Sequence, residues 1–286
     1  MSAVRDVVFT MPRSGPFPKK AWPRRSTTSS VSPACRAERS TITTARSTSL
    51  LGTYEAERRP TDARNIQRSL ENSGAHLEIG MAFGLSPELG EEANWIQLRR
   101  VFSDKPEDAA YRSAALRSIR RLTMESSELN VEYGYRYSSA AILPDGAPEP
   151  QNLDDIRIYE PSARPGSPLP HAWIDDDAGL RRPIKDLVGM NRFLLIAGED
   201  GQAWCDAAKK AAGATGVAVD AVRIGHIDGD LFDPRLAWTR ARGISPQGAV
   251  LVRPDRFIGW RSLGAAANPV AELTSALQRI LRRSGS

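Results

Sequence analysis

Two cysteines, three histidines and one run of acids are the side chains of this 286-residue sequence whose chemistry invites a search for a reactive centre. Cys35 and Cys205 stand far apart, with no Cys-x-x-Cys and no neighbouring His, a pattern that argues against structural zinc, a disulfide framework and dithiol redox chemistry. Both read as reduced thiols. Cys205 falls one turn into a predicted helix, where a helix N-terminus could lower a thiol pKa. A single-thiol peroxidase is therefore one reading, but without a second cysteine core packing is the plainer one. His171, in Pro170-His171-Ala172-Trp173, reads as a structural residue. His226 precedes Asp228 and Asp230, where turn chemistry accounts for the Gly and Asp residues and a metal site is the competing reading. Asp175-Asp176-Asp177, followed by Ala178-Gly179, predicts a hairpin turn, because consecutive side chains do not converge as catalytic carboxylates must. Neither Gly-x-Gly-x-x-Gly nor Gly-x-x-x-x-Gly-Lys-Ser/Thr occurs, so no complete dinucleotide-binding unit is expected.

These residues sit on elements that hydrophobic periodicity outlines. Leu51, Tyr54, Ala56, Ile66 and Leu70 are spaced for a helix over 51–73, kinked or split at Pro60, with Glu55, Glu57, Arg58 and Arg59 on a solvated face. Ser103 to Asp108 reads as a helix start, with Pro and acids in the first turn, and the helix continues to Leu122. Val131 to Tyr137 alternates aromatic and polar residues and predicts a strand. Turn chemistry follows at Pro144 to Pro150, which places a domain boundary between about 144 and 165.

The last 120 or so residues have the clearest pattern. Phe193–Gly198 predicts a strand, Gln202–Ala212 a helix and Val217–Ile224 a second strand, parallel to the first through a right-handed crossover. A helix over Phe232–Arg242, a hairpin over Gly248–Arg261 turning at Pro254-Asp255, and a helix capped by Asn268-Pro269 complete the order. That order is the one of a thioredoxin-like domain.

Charge is uneven along the chain. The formal net charge is +5, yet residues 1–50 hold nine Lys/Arg against two Asp/Glu, and the remaining residues thirty against thirty-two. The near-neutral bulk gives no footprint for a nucleic-acid partner. Sixteen Ser/Thr and five Pro among residues 1–50 leave neither apolar period, so residues 1–49 are expected to be irregular. A solvated basic tail, a transit peptide and out-of-frame translation compete for this segment. No long apolar run or leader-like N-terminus occurs, so the expectation is a cytoplasmic protein without a membrane partner.

Three segments resemble the flavin-dependent aromatic hydroxylases, the group of phenol, dichlorophenol and polyketide-ring hydroxylases. The first, Leu50-Leu51-Gly52-Thr53-Tyr54-Glu55-Ala56-Glu57-Arg58-Arg59-Pro60, is similar to that family's Leu-Leu-x-x-Tyr-x-x-Glu-Arg-x-Pro signature. The second, Tyr159 to Trp173, resembles the entry to its C-terminal thioredoxin-like domain, and the third runs from Gly248 to Asp255 and on through Trp260-Arg261.

The resemblance implies an α/β fold in three parts: an irregular, disordered basic segment at 1–49, a mostly helical remnant of the FAD/substrate domain at 50–145, and a thioredoxin-like domain at 155–286. It implies FAD as cofactor, NAD(P)H as co-substrate and a phenolic small molecule as substrate, with a homodimer as one assembly. Arg5-Asp6-Val7-Val8-Phe9-Thr10-Met11-Pro12 resembles the family's flavin motif, with Asp6 matching the carboxylate that meets the ribityl chain and Arg5 standing where the family has Gly. The family's Rossmann half has no counterpart in the sequence. The expectation is therefore a truncated oxidoreductase relative that binds FAD poorly and is inactive by itself, with a thioredoxin-like oligomerisation or binding module without catalysis as the alternative. Thr27-Thr28-Ser29-Ser30 is what a frameshifted Asp-Asp-Val-Val run would give.

Overall fold

The computed structural model describes residues 33–148, 151 and 154–281. The chain divides into two units, Met1–Thr44 and Ala45–Ser286, and among the described residues every strand lies in the second. Of the segment expected to be irregular, residues 1–32 lie outside the described residues, whereas from Pro33 onward the backbone is helical. Between Cys35 and Leu51 no Pro or Gly interrupts helix-compatible residues, which removes the local obstacle to that conformation.

The helix α1 (Pro33–Ala82) carries Pro60 in its interior, so of the two expected arrangements the single helix holds and the split does not. Proline removes one amide donor but leaves the other turns intact. Next come α2 (Glu91–Arg99) and α3 (Ala109–Leu122), the latter preceded by the predicted Pro-containing first turn at Pro106–Asp108. Val131–Tyr133, expected to begin a strand, lies instead in a helical turn, α4 (Leu129–Tyr133). Tertiary contacts override the alternating pattern there: the Asn130 amide donates to the Ile156 carbonyl and its side chain to the Asp155 carbonyl.

The remaining chain forms a seven-stranded mixed sheet of order β2-β1-β5-β4-β3-β6-β7. Its strands are β1 (Trp173–Asp175), β2 (Arg181–Pro183), β3 (Phe193–Ala197), β4 (Val219–Gly225), β5 (Leu231–Phe232), β6 (Ala249–Val252) and β7 (Ile258–Ser262). The expected parallel pair is β3 with β4, joined by α5 (Gln202–Thr215), and the expected hairpin is β6 with β7. The helix expected over Phe232–Arg242 shrinks to α6 (Ala237–Ala241), because buried Asp233 accepts the amides of Ala237 and Thr239 and so starts it late. The last helix, α7 (Pro269–Ile280), starts where the Asn268 side chain accepts the Ala271 amide.

β3 is buried along its whole length because both faces of the sheet are covered. Phe193, Leu195 and Ala197 join Trp204, Leu251, Leu273 and Leu277 under α5 and α7. Leu194 and Ile196 join Ile174, Ile224, Trp238 and Ile258 on the opposite face. The α/β fold class and its thioredoxin-like strand order thus stand as the sequence predicts.

Candidate functional site

The three family-like segments meet in one buried joint. Glu57 projects from α1 onto Arg253 in the turn after β6, its oxygens 2.6 Å from Nη1 and 3.0 Å from Nη2. Ser139 Oγ donates to the same carboxylate at 2.6 Å. Asp255 accepts from another edge of the guanidinium, with Oδ1 3.2 Å from Nε and Oδ2 2.6 Å from Nη2. Burial alone would raise the Glu57 carboxyl, but hydrogen bonds from Arg253 and Ser139 and the Arg253 charge outweigh it and hold the group below the usual carboxylate range. A fork-to-fork pair of this kind fixes orientation as well as distance.

A second buried pair uses the next strand. Arg261 on β7 bonds Asp145 through Nε and Oδ2. Burial pushes the Asp145 carboxyl up, while the Ala147 amide and Arg261 pull it down by more. The β6–β7 hairpin therefore presents two buried arginines to two carboxylates supplied by earlier segments.

Aromatic rings fill the space between. Tyr137 stacks on Phe257 with ring centres 4.1 Å apart, and Tyr135 leans on both. The Arg58 guanidinium lies 5.5 Å from the Tyr137 ring and 5.8 Å from that of Tyr54, so the Tyr-x-x-Glu-Arg signature divides its work between cation–π stacking and the buried ion pair. The second segment enters through Gly166, whose carbonyl accepts the Tyr137 amide and whose amide donates to the Ile258 carbonyl. At φ +90° its backbone is one that L side chains rarely adopt, and a Cβ there would strike the Tyr137 carbonyl.

Two clefts flank the joint. One of 420 Å³ is lined by Arg58, Arg68, Asn65, Asn72 and Glu128 among others, and one of 190 Å³ by Tyr133, Tyr159, Arg136 and Arg164 among others. The two groups at the heart of the joint are shifted in opposite directions: the Glu57 carboxyl is held below its usual range, and burial, opposed by Arg58, pushes the Tyr137 hydroxyl up to about 12. The arrangement orients: it fixes α1 and the β6–β7 hairpin relative to each other.

The residues singled out from sequence lie elsewhere. Asp6 and Cys35 have no described side chains. Cys205 is buried in the α5 core, and burial, with the nearby Asp230 charge, pushes its thiol up to about 11, against the thiol-peroxidase reading. His171 is exposed, edge-on to Trp173 at 5.2 Å, and so has no buried structural role. His226 sits in the predicted loop with Nδ1 3.2 Å from the Asp233 carbonyl. Asp176 caps the β1–β2 turn by accepting the Ala178 and Leu180 amides, as a turn residue should. Among the described residues no three His, Cys, Asp or Glu side chains gather as a metal site would require.

Glu57 is the main correction. The helical pattern puts it on a solvated face with Glu55, whereas it is buried. Its tertiary partner lies 196 positions away, so local periodicity carries no signal for it. The only indication is its place in the family signature.

Both the sequence and the fold have counterparts among known proteins. Residues 162–284 match the family model described as aromatic-ring hydroxylase, C-terminal. The chain is 36% identical to the 2,4-dichlorophenol 6-monooxygenase of Delftia acidovorans over 233 residues, covering 81% of this chain and 39% of that protein. It is 32% identical to the phenol 2-monooxygenase of Pseudomonas sp. (strain EST1001), covering 80% and 37%. Among solved structures, the flavin-dependent monooxygenase PieE in complex with FAD and substrate is 32% identical, with a TM-score of 0.76 over 85% of this chain and 42% of that one. Aklavinone-11 hydroxylase with FAD and aklavinone gives a TM-score of 0.52 at 28% identity, over 87% of this chain and 38% of that one. The chain thus spans about two fifths of the length of the relatives it matches.

Proposed function

We propose, from the match of residues 162–284 to the aromatic-ring hydroxylase C-terminal family, that this chain is part of a flavin-dependent monooxygenase of the kind that hydroxylates a phenolic substrate with NAD(P)H and O2. The observation that carries the reading is the joint itself. The Glu57 signature and the Arg253 turn, both features of the family resemblance, are bonded to each other rather than merely present in the same sequence.

This chain's own part is positional. The β6–β7 hairpin holds α1 through Arg253, and it holds the 134–148 segment through Arg261 and through the Gly259 carbonyl, which accepts the Leu143 amide, so helix and sheet keep one register. Bound flavin supplies the redox chemistry in such enzymes. Among the described residues, the starts of α2, α5 and α7 do not fit its diphosphate. A helix N-terminus suits an anion only when no carboxylate occupies it. α2 opens on Glu91-Glu92, α5 follows Glu199-Asp200, and α7 has Glu272 in its first turn. We derive no catalytic step through FAD in this chain, which by itself binds the cofactor weakly and does not hydroxylate. Asp6 is proposed as the vestige of a flavin contact, 1–49, 50–145 and 155–286 as its three parts, and the cytoplasm as its compartment.

The test is the visible spectrum of the purified chain, followed by FAD titration monitored by flavin fluorescence. A colourless protein without saturable quenching is expected. A yellow protein, or saturable binding at micromolar FAD, overturns the claim of weak binding. Translating the gene in all three frames checks the origin of residues 1–49: a neighbouring frame restoring a family-like loop and helix supports the frameshift.

A further inference from the structure

The 190 Å³ cleft beside the joint is built from α4 with the residues just after it, from the 155–160 stretch and from the 162–168 segment. Two of its lining side chains are polar and deeply buried, Asn130 at 9% and Ser167 at 6% exposure. Asn130 Nδ2 donates to the Asp155 carbonyl at 2.7 Å. Among the described residues nothing hydrogen-bonds Ser167 Oγ. A buried hydroxyl without a partner is costly, so water or a ligand has to meet it. The Ser167 main chain is fixed on both sides: its amide donates to the Arg164 carbonyl at 3.0 Å and its carbonyl accepts the Ile258 amide at 2.9 Å. The hydroxyl is thus presented from a rigid backbone, which lowers the ordering cost of binding.

The rest of the lining selects by shape and charge. Tyr133 and Tyr159 meet with ring centres 5.9 Å apart and planes at 46°, an angled pair that offers a further ring an offset or edge-on contact. Burial pushes the Tyr159 hydroxyl up, so it stays protonated and able to donate. Two cations, Arg136 and Arg164, are matched by two carboxylates, Asp155 and Glu160, so the lining has no net charge and does not favour an anion. Arg164 moreover spends Nη1 and Nη2 on the Pro148 and Ala147 carbonyls, each at 2.6 Å. Size sets the last limit. A cavity of about 150 Å³ holds one benzene ring, so 190 Å³ takes one ring with a hydroxyl and not two fused rings.

We propose that this cleft is a binding site for one small, neutral, hydroxylated aromatic ring, which lies against Tyr133 and Tyr159 and sets its hydroxyl on Ser167 Oγ. The inference stands on the lining alone and needs neither bound flavin nor the monooxygenase reading. An occupant touches α4 on one side and the 162–168 segment on the other, and Gly166 ties that segment to Tyr137 and to β7. Occupancy therefore clamps the helical part to the sheet domain. So small a ligand binds weakly, with Kd on the order of 1 mM.

The experiment is saturation-transfer NMR on the full chain titrated with phenol to roughly 10 mM, with Ser167→Ala and Ser162→Phe variants and with circular dichroism to confirm folding. Neither flavin nor turnover enters the readout, so a negative result leaves the FAD test of the monooxygenase reading untouched. The wild-type chain is expected to saturate. Ser167→Ala removes a single oxygen and should weaken phenol about three- to tenfold. Ser162 is half-buried at the cleft wall, and its replacement by Phe should fill the space and abolish binding. Cyclohexanol, benzoate and 1-naphthol, which lack the aromatic face, the neutrality and the size in turn, should each bind more weakly than phenol. No saturation by phenol overturns the proposal. Phenol binding that Ser167→Ala leaves unchanged overturns the placement in this cleft, and benzoate or 1-naphthol binding more tightly than phenol overturns the ligand class.

Discussion

The α1 region and the sheet domain solve the burial problem in opposite ways. In the sheet domain, apolar residues from β3, β6, β7, α5 and α7 fill both faces of the sheet, and its few buried charges, such as Asp233 and Arg242, are hydrogen-bonded. Across residues 53–122 the buried apolar side chains are only Ala75 and Ala115, while Ile66, Leu70, Leu77, Met81, Trp95 and Phe102 are exposed. That region is held instead by polar pairs: the ion pairs of Glu57 with Arg253, Arg68 with Glu128 and Glu78 with Arg121 at 3.0 Å, and a hydrogen bond between His76 Nε2 and Glu125 at 2.7 Å. Apolar burial is non-directional and stabilises by area, whereas a buried ion pair repays its desolvation only through good geometry. The sheet domain is therefore the source of stability, and the joint is a device for alignment.

This contrast is sharpest in Trp204→Ala. Trp204 is almost fully buried, meets Trp260 edge-on at 5.4 Å and donates Nε1 to the Gln247 carbonyl at 2.9 Å. Its loss should cost about 5 kcal/mol of global stability, read from chemical denaturation. A loss under about 1 kcal/mol would break the assignment of stability to the sheet.

Arg253→Met should act on alignment. It leaves Glu57 buried without its charge partner, at a local cost of about 3 kcal/mol. Hydrogen exchange should rise across 53–82 and stay near wild type in β3 and β6. Uniform loss of protection would show that joint and sheet unfold as one unit. The pH dependence follows from the same pair. The folded Glu57 and Asp145 carboxyls lie below their unfolded values, so their contribution is present above the ordinary carboxylate range and is lost as pH falls through the folded pKa values. Protection of 53–82 should accordingly fall on acidification before that of β3, and the Arg253→Met variant should lack this step.

The smallest effect belongs to Tyr137→Phe. The hydroxyl is buried with no hydrogen-bond partner while the ring does the stacking, so its removal should change the melting temperature little and in the stabilising direction, within about 1 kcal/mol. A marked loss of stability would mean that the hydroxyl is bonded through a water.

Much of the sheet domain was legible from local pattern. The five apolar residues of β3, the Asn268-Pro269 cap of α7 and the Asp176 turn are each specified within a few neighbouring residues, and each stands where the pattern placed it. Glu57 was misplaced for the converse reason: its environment is made by Arg253 and Ser139, which no helical period can report. Val131–Tyr137 was mistaken for a strand because alternation describes any half-buried extended segment, while Asn130 and its partners at 155–156 decide the real conformation.

The sequence by itself determined the succession β3, α5, β4, then β6, β7 and α7, the family resemblance and the lack of a glycine-rich phosphate loop, all of which are short-range or compositional. Only the tertiary structure decided that three distant segments close on one ion-paired joint and that α1 turns Ile66, Leu70, Leu77 and Met81 outward. Those facts depend on which face of each element meets another, and that choice is made by long-range packing and charge pairing, after local propensity has fixed the elements.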